Sequence, residues 1–525
     1  MKKLMSILLV VLMLIPLIVS CGGNDETTTT ESPTTEAPTT EAPTTEAPTT
    51  EAPTTEAPTT EAPTTEAPST IDPNAPWSSK TDIRDTWSGK TLNVACSTWY
   101  STGAPWAMPE VFITEENDAK FGVEIQNAVL ERNKFIESTY GVKVNWINAT
   151  KASMHNVLEA ATIAKNINYD LALPRLMNAH SIVAGGYVYD LANRAFIDFD
   201  NTYYNSDSVK TYTAHGHTFF VTGGFSTLDI DTSSILLFNK DLLSEEITND
   251  IYDMVRKGEW TFDKLFAYSE AAYSDNGDGI RGNDIYGTAL NPYNYYDYFG
   301  VKNAGVNEAT GQWEITIKGD RTDDVINTIL KTINHDKEAF ITYGARIFFN
   351  DNQVTFSVEN LIYLEELEVE NLIHLEELEV ENIGIVPFPM LDKEQGRYYV
   401  PCYMSTSYAM CIPKLTQDRE MSEYFMDVLF WTGEDYVVKV YIDKKMEKFG
   451  TEAEREMITE YIIPNISYDA GAAVGWGRLI DVRYKISDTY KNNENHFDEV
   501  YAKEEPDALK TIAEWNAAWG GYTEE

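Results

Sequence analysis

The sequence predicts an α/β fold built on a parallel sheet. Short apolar runs alternate with stretches of helical periodicity between residues 91 and 191. The folded part is rich in tyrosine and tryptophan, whereas a long N-terminal stretch holds almost nothing apolar to bury. Strand, helix, strand, helix, strand is the order that βαβ units produce.

Thr91-Leu92-Asn93-Val94-Ala95-Cys96 is the first buried strand. From about Asp118 to Tyr140, Phe121, Val123, Ile125, Val129, Leu130, Phe135 and Ile136 recur at helical spacing. Gly141 stops that helix, since glycine takes positive φ without steric cost. Val142 to Ile147 alternates like a strand, and about His155 to Lys165 is a second helix. Tyr169 to Leu173 is a further buried strand, and Tyr187 to Leu191 another. Ligands of such sheets sit beyond the carboxyl ends of the strands. Those ends carry Ser97-Thr98-Trp99-Tyr100 and Pro174-Arg175-Leu176-Met177-Asn178.

Ile235-Leu236-Leu237-Phe238 is an apolar strand before a helix, and Thr261 is placed to cap the next helix. Asp284 to Leu290 reads as a strand that opens on Tyr293, Tyr295, Tyr296 and Tyr298. Val354 to Ser357 and Ile383 to Pro389 are later strands, and the chain from Met421 onward is mostly helical. Glu359 to Val369 is repeated as Glu370 to Val380 with only Tyr363 becoming His374. Eleven residues make about three helical turns, so an added copy keeps its apolar face in phase. It would lengthen a helix by roughly 16 Å, so one copy is expected to project or loop out.

The N-terminal region reads differently. Lys2 and Lys3 precede an apolar run from Ile7, broken at Pro16 and closing on Ile18-Val19-Ser20-Cys21. That is a secretory signal, too short to span a bilayer. Its end resembles a bacterial lipobox, which implies that Cys21 is lipidated. Thr27 to Ser69 is a run of Thr-Thr-Glu-Ala-Pro units. It cannot offset the entropy of ordering, so it is read as a disordered spacer with a reach on the order of 100 Å. The formal net charge is −43, which argues against nucleic acid and anionic lipid as partners. Cys96, Cys402 and Cys411 lack CxxC spacing, so they form neither a disulfide framework nor a zinc site. One bridge among the three and buried free thiols are the two readings.

Several stretches resemble the extracellular solute-binding proteins of bacterial ABC sugar importers. They are Tyr169-Asp170-Leu171-Ala172-Leu173 with Tyr189-Asp190-Leu191, Ile235 to Leu243, Gly258-Glu259-Trp260-Thr261-Phe262, and Gly384-Ile385-Val386-Pro387-Phe388-Pro389. The resemblance runs from about Gly89 to Trp519. It implies a two-lobed periplasmic-binding-protein-like fold with hinge-linked lobes closing on ligand. The implied organisation is a signal peptide (1–20), a lipidated spacer (21–76) and a solute-binding domain (77–525). The first lobe would comprise about 89–232 and 350–399, the second about 233–349 and 400–525. The implied function is capture of a carbohydrate, expected to be an oligosaccharide, at the extracellular face of the membrane, and delivery to an ABC permease. A monomer that is not an enzyme is expected.

Sugars are held by aromatic faces and a few convergent polar groups. The candidates are Trp99, Tyr100, Arg175 and Asn178 after first-lobe strands, Asp231 at the hinge, Tyr295 and Tyr296 in the second lobe, and Trp476 with Arg478 late in the chain. No cofactor is required. Ser274, Asn276, Asp278 and Asp284 are the candidate oxygens for a structural calcium ion, although Ile285 stands where a full loop has glutamate. A polar turn is the alternative. The rival functions are a tethered glycoside hydrolase, which needs a carboxylate pair that no motif isolates here, and the same fold binding a peptide or another small solute.

Overall fold

The first strand forms where its apolar run predicts it: β1 spans Thr91–Cys96 in the computed structural model. Residues 85–97, 122–148, 153–165, 168–279, 283–291, 294–334, 340–341, 352–364, 382–402, 406–449, 451–473 and 494–524 are described. All of them lie in the unit Pro68–Glu525. The signal, Cys21 and the spacer lie outside them.

The helix Gly122–Tyr140 buries Ile125, Ala128, Val129, Ile136 and Tyr140 along one face. Gly141, at φ 65°, ends it. Its amide bonds back to Glu137 O at 2.9 Å, satisfying one of the last carbonyls. β2 (Lys143–Asn148) follows, then the helix Met154–Ala164, capped by the Ser153 hydroxyl and closed by Lys165 at positive φ. β3 is Leu171–Leu173. The three strands are parallel in the order β2-β1-β3.

The remaining strands follow in chain order. β4 (Thr213–Ala214) and β5 (His217–Thr218) make a small hairpin, and β6 is Ser234–Asn239. β7 (Tyr286–Ala289) precedes a second hairpin of β8 (Ala304–Val306) and β9 (Trp313–Ile315). β10 (Phe340–Ile341), β11 (Val354–Asn360), β12 (Ile383–Val386), β13 (Val400–Pro401) and β14 (Ile466–Ser467) complete the set. The second sheet has the order β10-β7-β11-β6-β12. β10, β7 and β11 are parallel, and β6 runs antiparallel to both β11 and β12. Gly384 fits there because a Cβ would stand 2.1 Å from the Phe238 ring.

The first sheet has an antiparallel strand too. Cys411 N donates to Ala172 O (2.9 Å), Ala172 N to Cys411 O (3.0 Å), and Ala409 N to Pro174 O (3.0 Å). On the other side of this segment, Val188 bridges Pro413 and Val221 bridges Met410. The expected strand at Tyr187 to Leu191 is thus reduced to a single bridge. Each sheet therefore carries one reversed strand, supplied by chain that has just crossed from the other lobe. Within these two sheets, the other described strands run opposite to the reversed one. β11 ends at Asn360 beside Ser234, the first residue of β6.

This pairing corrects the expected lobe boundaries. β11 and β12 lie within 350–399, assigned to the first lobe, but they hydrogen-bond to β6 of the second. Tyr408, Met410, Ile412 and the helix Arg419–Gly433 lie within 400–525, assigned to the second lobe, but they pack with Leu92, Val94 and Leu173 of the first. The physical reason is that each crossing strand is recruited by the sheet it enters. Thr261 also differs: it precedes the helix Phe262–Ala272 but makes no side-chain cap bond.

Among the described residues three core clusters result. One fills the first lobe, one surrounds Trp260, Phe262 and Phe388 in the second, and one runs through both sheets by way of the C-terminal helical segments. In the last of these, His180 stacks on Trp515 with centroids 3.4 Å apart and is walled by Trp313 and Trp519. Burial pushes its imidazole down to about 3, so the ring is neutral. Cys96, Cys402 and Cys411 are free and buried, which settles the cysteine question in favour of the thiols.

The repeat at 359–380 falls between β11 and β12, two strands that run the same way beside β6. Residues 365–381 lie outside the described residues. A crossover needs to return only the length of a strand, roughly a dozen residues with its helix, and one copy supplies that. Deleting Glu370 to Val380 is expected to leave the melting temperature unchanged or raised; a marked fall in a thermal melt would show the second copy to be structural.

Candidate functional site

The first-lobe wall of the site is built where β1 and β3 end. Ser97 and Arg175 follow those strands, and Tyr408 enters beside them on the reversed strand. The Tyr408 hydroxyl donates to Ser97 O (3.0 Å), and Arg175 Nε donates to the Tyr408 hydroxyl (3.3 Å). The guanidinium carbon lies 5.2 Å from the Tyr408 ring centroid. Arg175 is buried, so this cation is held across two strand ends by a stack and a hydrogen bond. Asn178 is half-buried one turn further on; its amide donates to Arg175 O (2.9 Å) and its carbonyl accepts from Ser181.

Asp231 opens the first crossing. Its carbonyl accepts from Ile362 N (2.8 Å), which ties the crossing strand to the end of β11. Its carboxylate accepts from the Tyr441 hydroxyl, and Lys445 Nζ lies 3.5 Å from the same oxygen. Both partners come from the helix Lys439–Phe449. Asn360 Nδ2 donates to Thr232 O (2.7 Å), and the Ser233 hydroxyl to Ile230 O (2.7 Å), so the buried backbone of the crossing is satisfied.

Behind it stands a second acid. The Tyr468 hydroxyl donates to Asp229 Oδ2 (2.6 Å) and accepts from Thr222 (2.8 Å). Burial pushes the Asp229 carboxyl up to about 6, against the pull of its bonds from Tyr468 and Ser407.

The remaining candidates are placed as follows. Tyr295 is fully buried among Phe262, Phe299 and Phe388, with its hydroxyl on Thr332 (3.1 Å). Tyr296 is buried in the same core. These two rings are packing groups of the second lobe, not an open platform. Trp99, Tyr100, Trp476 and Arg478 lie outside the described residues. At the proposed calcium loop, Ser274 pairs with Ile285 through its backbone, and Asp284 Oδ1 accepts from Asn276 N (3.2 Å). Asn276 Oδ1 accepts from Asp278 N (3.0 Å), and Asp278 Oδ2 from Asn283 Nδ2 (2.7 Å). Among the described residues no group of three His, Cys, Asp or Glu side chains is placed to hold a metal.

Local pattern gave no hint of Tyr408, Tyr441, Lys445, Asp229 or Tyr468, because long-range pairing brings each of them in.

No protein-family model matches the sequence, and no curated protein does. Solved structures do. A cyclo/maltodextrin-binding protein solved with maltotetraose aligns over 80% of this chain and 97% of its own, with TM-score 0.51 and 13% identity. An extracellular solute-binding protein from Staphylococcus aureus, solved with maltose, aligns over 80% and 98%, with TM-score 0.50 and 13% identity. The chain has the two-lobed fold of the solute-binding proteins.

Asp229 makes stability depend on pH. Its folded pKa lies above that of the unfolded chain, so its contribution is full below about 4 and is lost as pH rises through about 6. His180 acts oppositely: its folded pKa lies below the unfolded one, so stability rises with pH between about 3 and 6.5. Asp229→Asn removes only the first effect. Relative to the parent, that variant should gain up to about 3 kcal/mol between pH 4 and pH 7, measured by denaturant unfolding at each pH.

Proposed function

We propose that this protein is the receptor subunit of an ABC importer, a cell-surface lipoprotein that captures an oligosaccharide between its lobes and passes it to a membrane permease. The observation that carries this reading is the crossing arrangement. Both sheets turn the carboxyl ends of their parallel strands toward it, and a braced cation, Arg175, stands there. The two solved proteins of this fold were crystallised with maltotetraose and maltose, which makes gluco-oligosaccharides the first ligand class to try. Trp99, Tyr100 and Trp476 would stack on sugar rings, while Arg175, Asn178, Asp231 and Arg478 would meet hydroxyls. The cleft receives and releases its ligand unchanged; no bond-breaking role falls to any residue.

Anchoring through Cys21 and tethering by the Thr-Thr-Glu-Ala-Pro spacer belong to the same proposal. No helix among the described residues is long and apolar enough to cross a membrane.

A thermal-shift screen of the protein from Thr81 onward against maltotetraose, maltose and other oligosaccharides tests the reading. A ligand at a hundred times its Kd should add about 2.7 kcal/mol of stability. Arg175→Ala should abolish the shift. Cleavage of the sugar would favour a hydrolase, and a shift with peptides alone would discard the sugar.

Ser274, Asn276, Asp278 and Asp284 are proposed to hold a structural calcium ion in this receptor. A chelator should then lower the melting temperature; an unchanged melt would mean that the loop closes on its own hydrogen bonds.

A further inference from the structure

Asp207 lies in the short helix Ser206–Tyr212 of the first lobe. That helix is tied to the first sheet, since Asn205 N donates to Thr222 O (2.9 Å) and Val221 bridges Met410. Asp207 is buried, at 6% exposure, and both of its cations come from the other lobe. Lys302 Nζ lies 3.1 Å from Oδ2, and Arg397 Nη1 3.5 Å from Oδ1. Lys302 follows Phe299 and Val301, which pack in the second-lobe core. Arg397 precedes Tyr398, whose hydroxyl donates to Val255 O (3.2 Å) in that lobe. The Tyr468 amide, next to β14, also donates to Oδ2 (2.9 Å), as does the Thr211 hydroxyl (3.5 Å). Lys302 also donates to Thr211 (3.1 Å).

The contact continues outward along the same faces. Lys210 pairs with Glu308 (3.1 Å), and His215 N donates to Gly311 O (2.7 Å). The first of these pairs is exposed and weak. The Asp207 cluster is not: a buried carboxylate that loses its cations is left uncompensated, which is far costlier than the loss of a surface pair. Arg397 Nη2 is buried without a hydrogen-bond partner.

We propose that Asp207, Lys302 and Arg397 form an inter-lobe clasp that fixes the resting angle between the two lobes. Its bearing on solute capture rests on the receptor reading above; its bearing on lobe angle does not. The test uses the full chain without ligand, with Cys21→Ser and spin labels at Ile163→Cys and Glu246→Cys, both exposed and one on each lobe. Distances are read by double electron–electron resonance. Asp207→Asn and Lys302→Met should each broaden the distribution and shift its mean, while Lys210→Ala leaves it unchanged. Raising the salt should leave the parent unchanged as well, because buried pairs are little screened. Lys302→Met removes a cation rather than the buried anion, so it keeps the test valid if Asp207→Asn fails to fold. Unchanged distances in folded Lys302→Met, or equal broadening in Lys210→Ala, overturns the proposal. Distances that shift as expected in the variants, with a parent protein that binds no sugar, would count against the receptor reading alone.

Discussion

The ladder between β3 and the segment ending at Cys411 holds the two-lobed arrangement together. It joins Ala172 to a residue 239 positions away. Without it the first sheet would end at the three-residue strand Leu171–Leu173, with an open edge. With it, the sheet gains a reversed strand, and that strand brings Tyr408 onto Arg175. The site is therefore a by-product of closing the sheet. The same logic holds across the crossing, where β6 enters the second sheet reversed and is flanked on both sides.

Buried charge follows the same seams. Asp207 and Asp231 lie where the lobes join, and each faces a lysine from a distant part of the chain. Asp229 is different: burial holds its proton more tightly than usual, and the hydroxyls of Tyr468 and Ser407 offset that only in part. A core of aromatic and aliphatic side chains could join two lobes, but it would do so without preferred direction. Charged hydrogen bonds add geometry.

How much of this was legible in the sequence depends on the range of the interaction. β1, the helix ending at Gly141, β2, β6 and β12 were readable because each follows from neighbouring residues alone: an apolar run, a helical period, a glycine at positive φ. The parallel character of the first sheet was readable from alternation. The lobe boundaries were not, since an apolar run shows that a strand is buried but not which sheet receives it. The residues 354–360 and 408–412 were accordingly assigned to the wrong lobes. Tyr295 and Tyr296 failed as a binding platform for a related reason: a cluster of aromatic residues reads the same in a cleft as in a core, and here Phe388 and Phe262 pack on Tyr295 while Tyr296 is buried in the same core.

The interleaving of the two lobes has a consequence for how the chain can be made. Its contacts are of high order, and such topologies fold slowly because distant segments must meet before any reward is gained. A chain delivered N-terminus first presents β1, β2 and β3 long before residues 408–412 emerge. The first lobe must wait, its sheet edge bare, until most of the second has been released. The waiting edge is where premature strand pairing with other chains would begin.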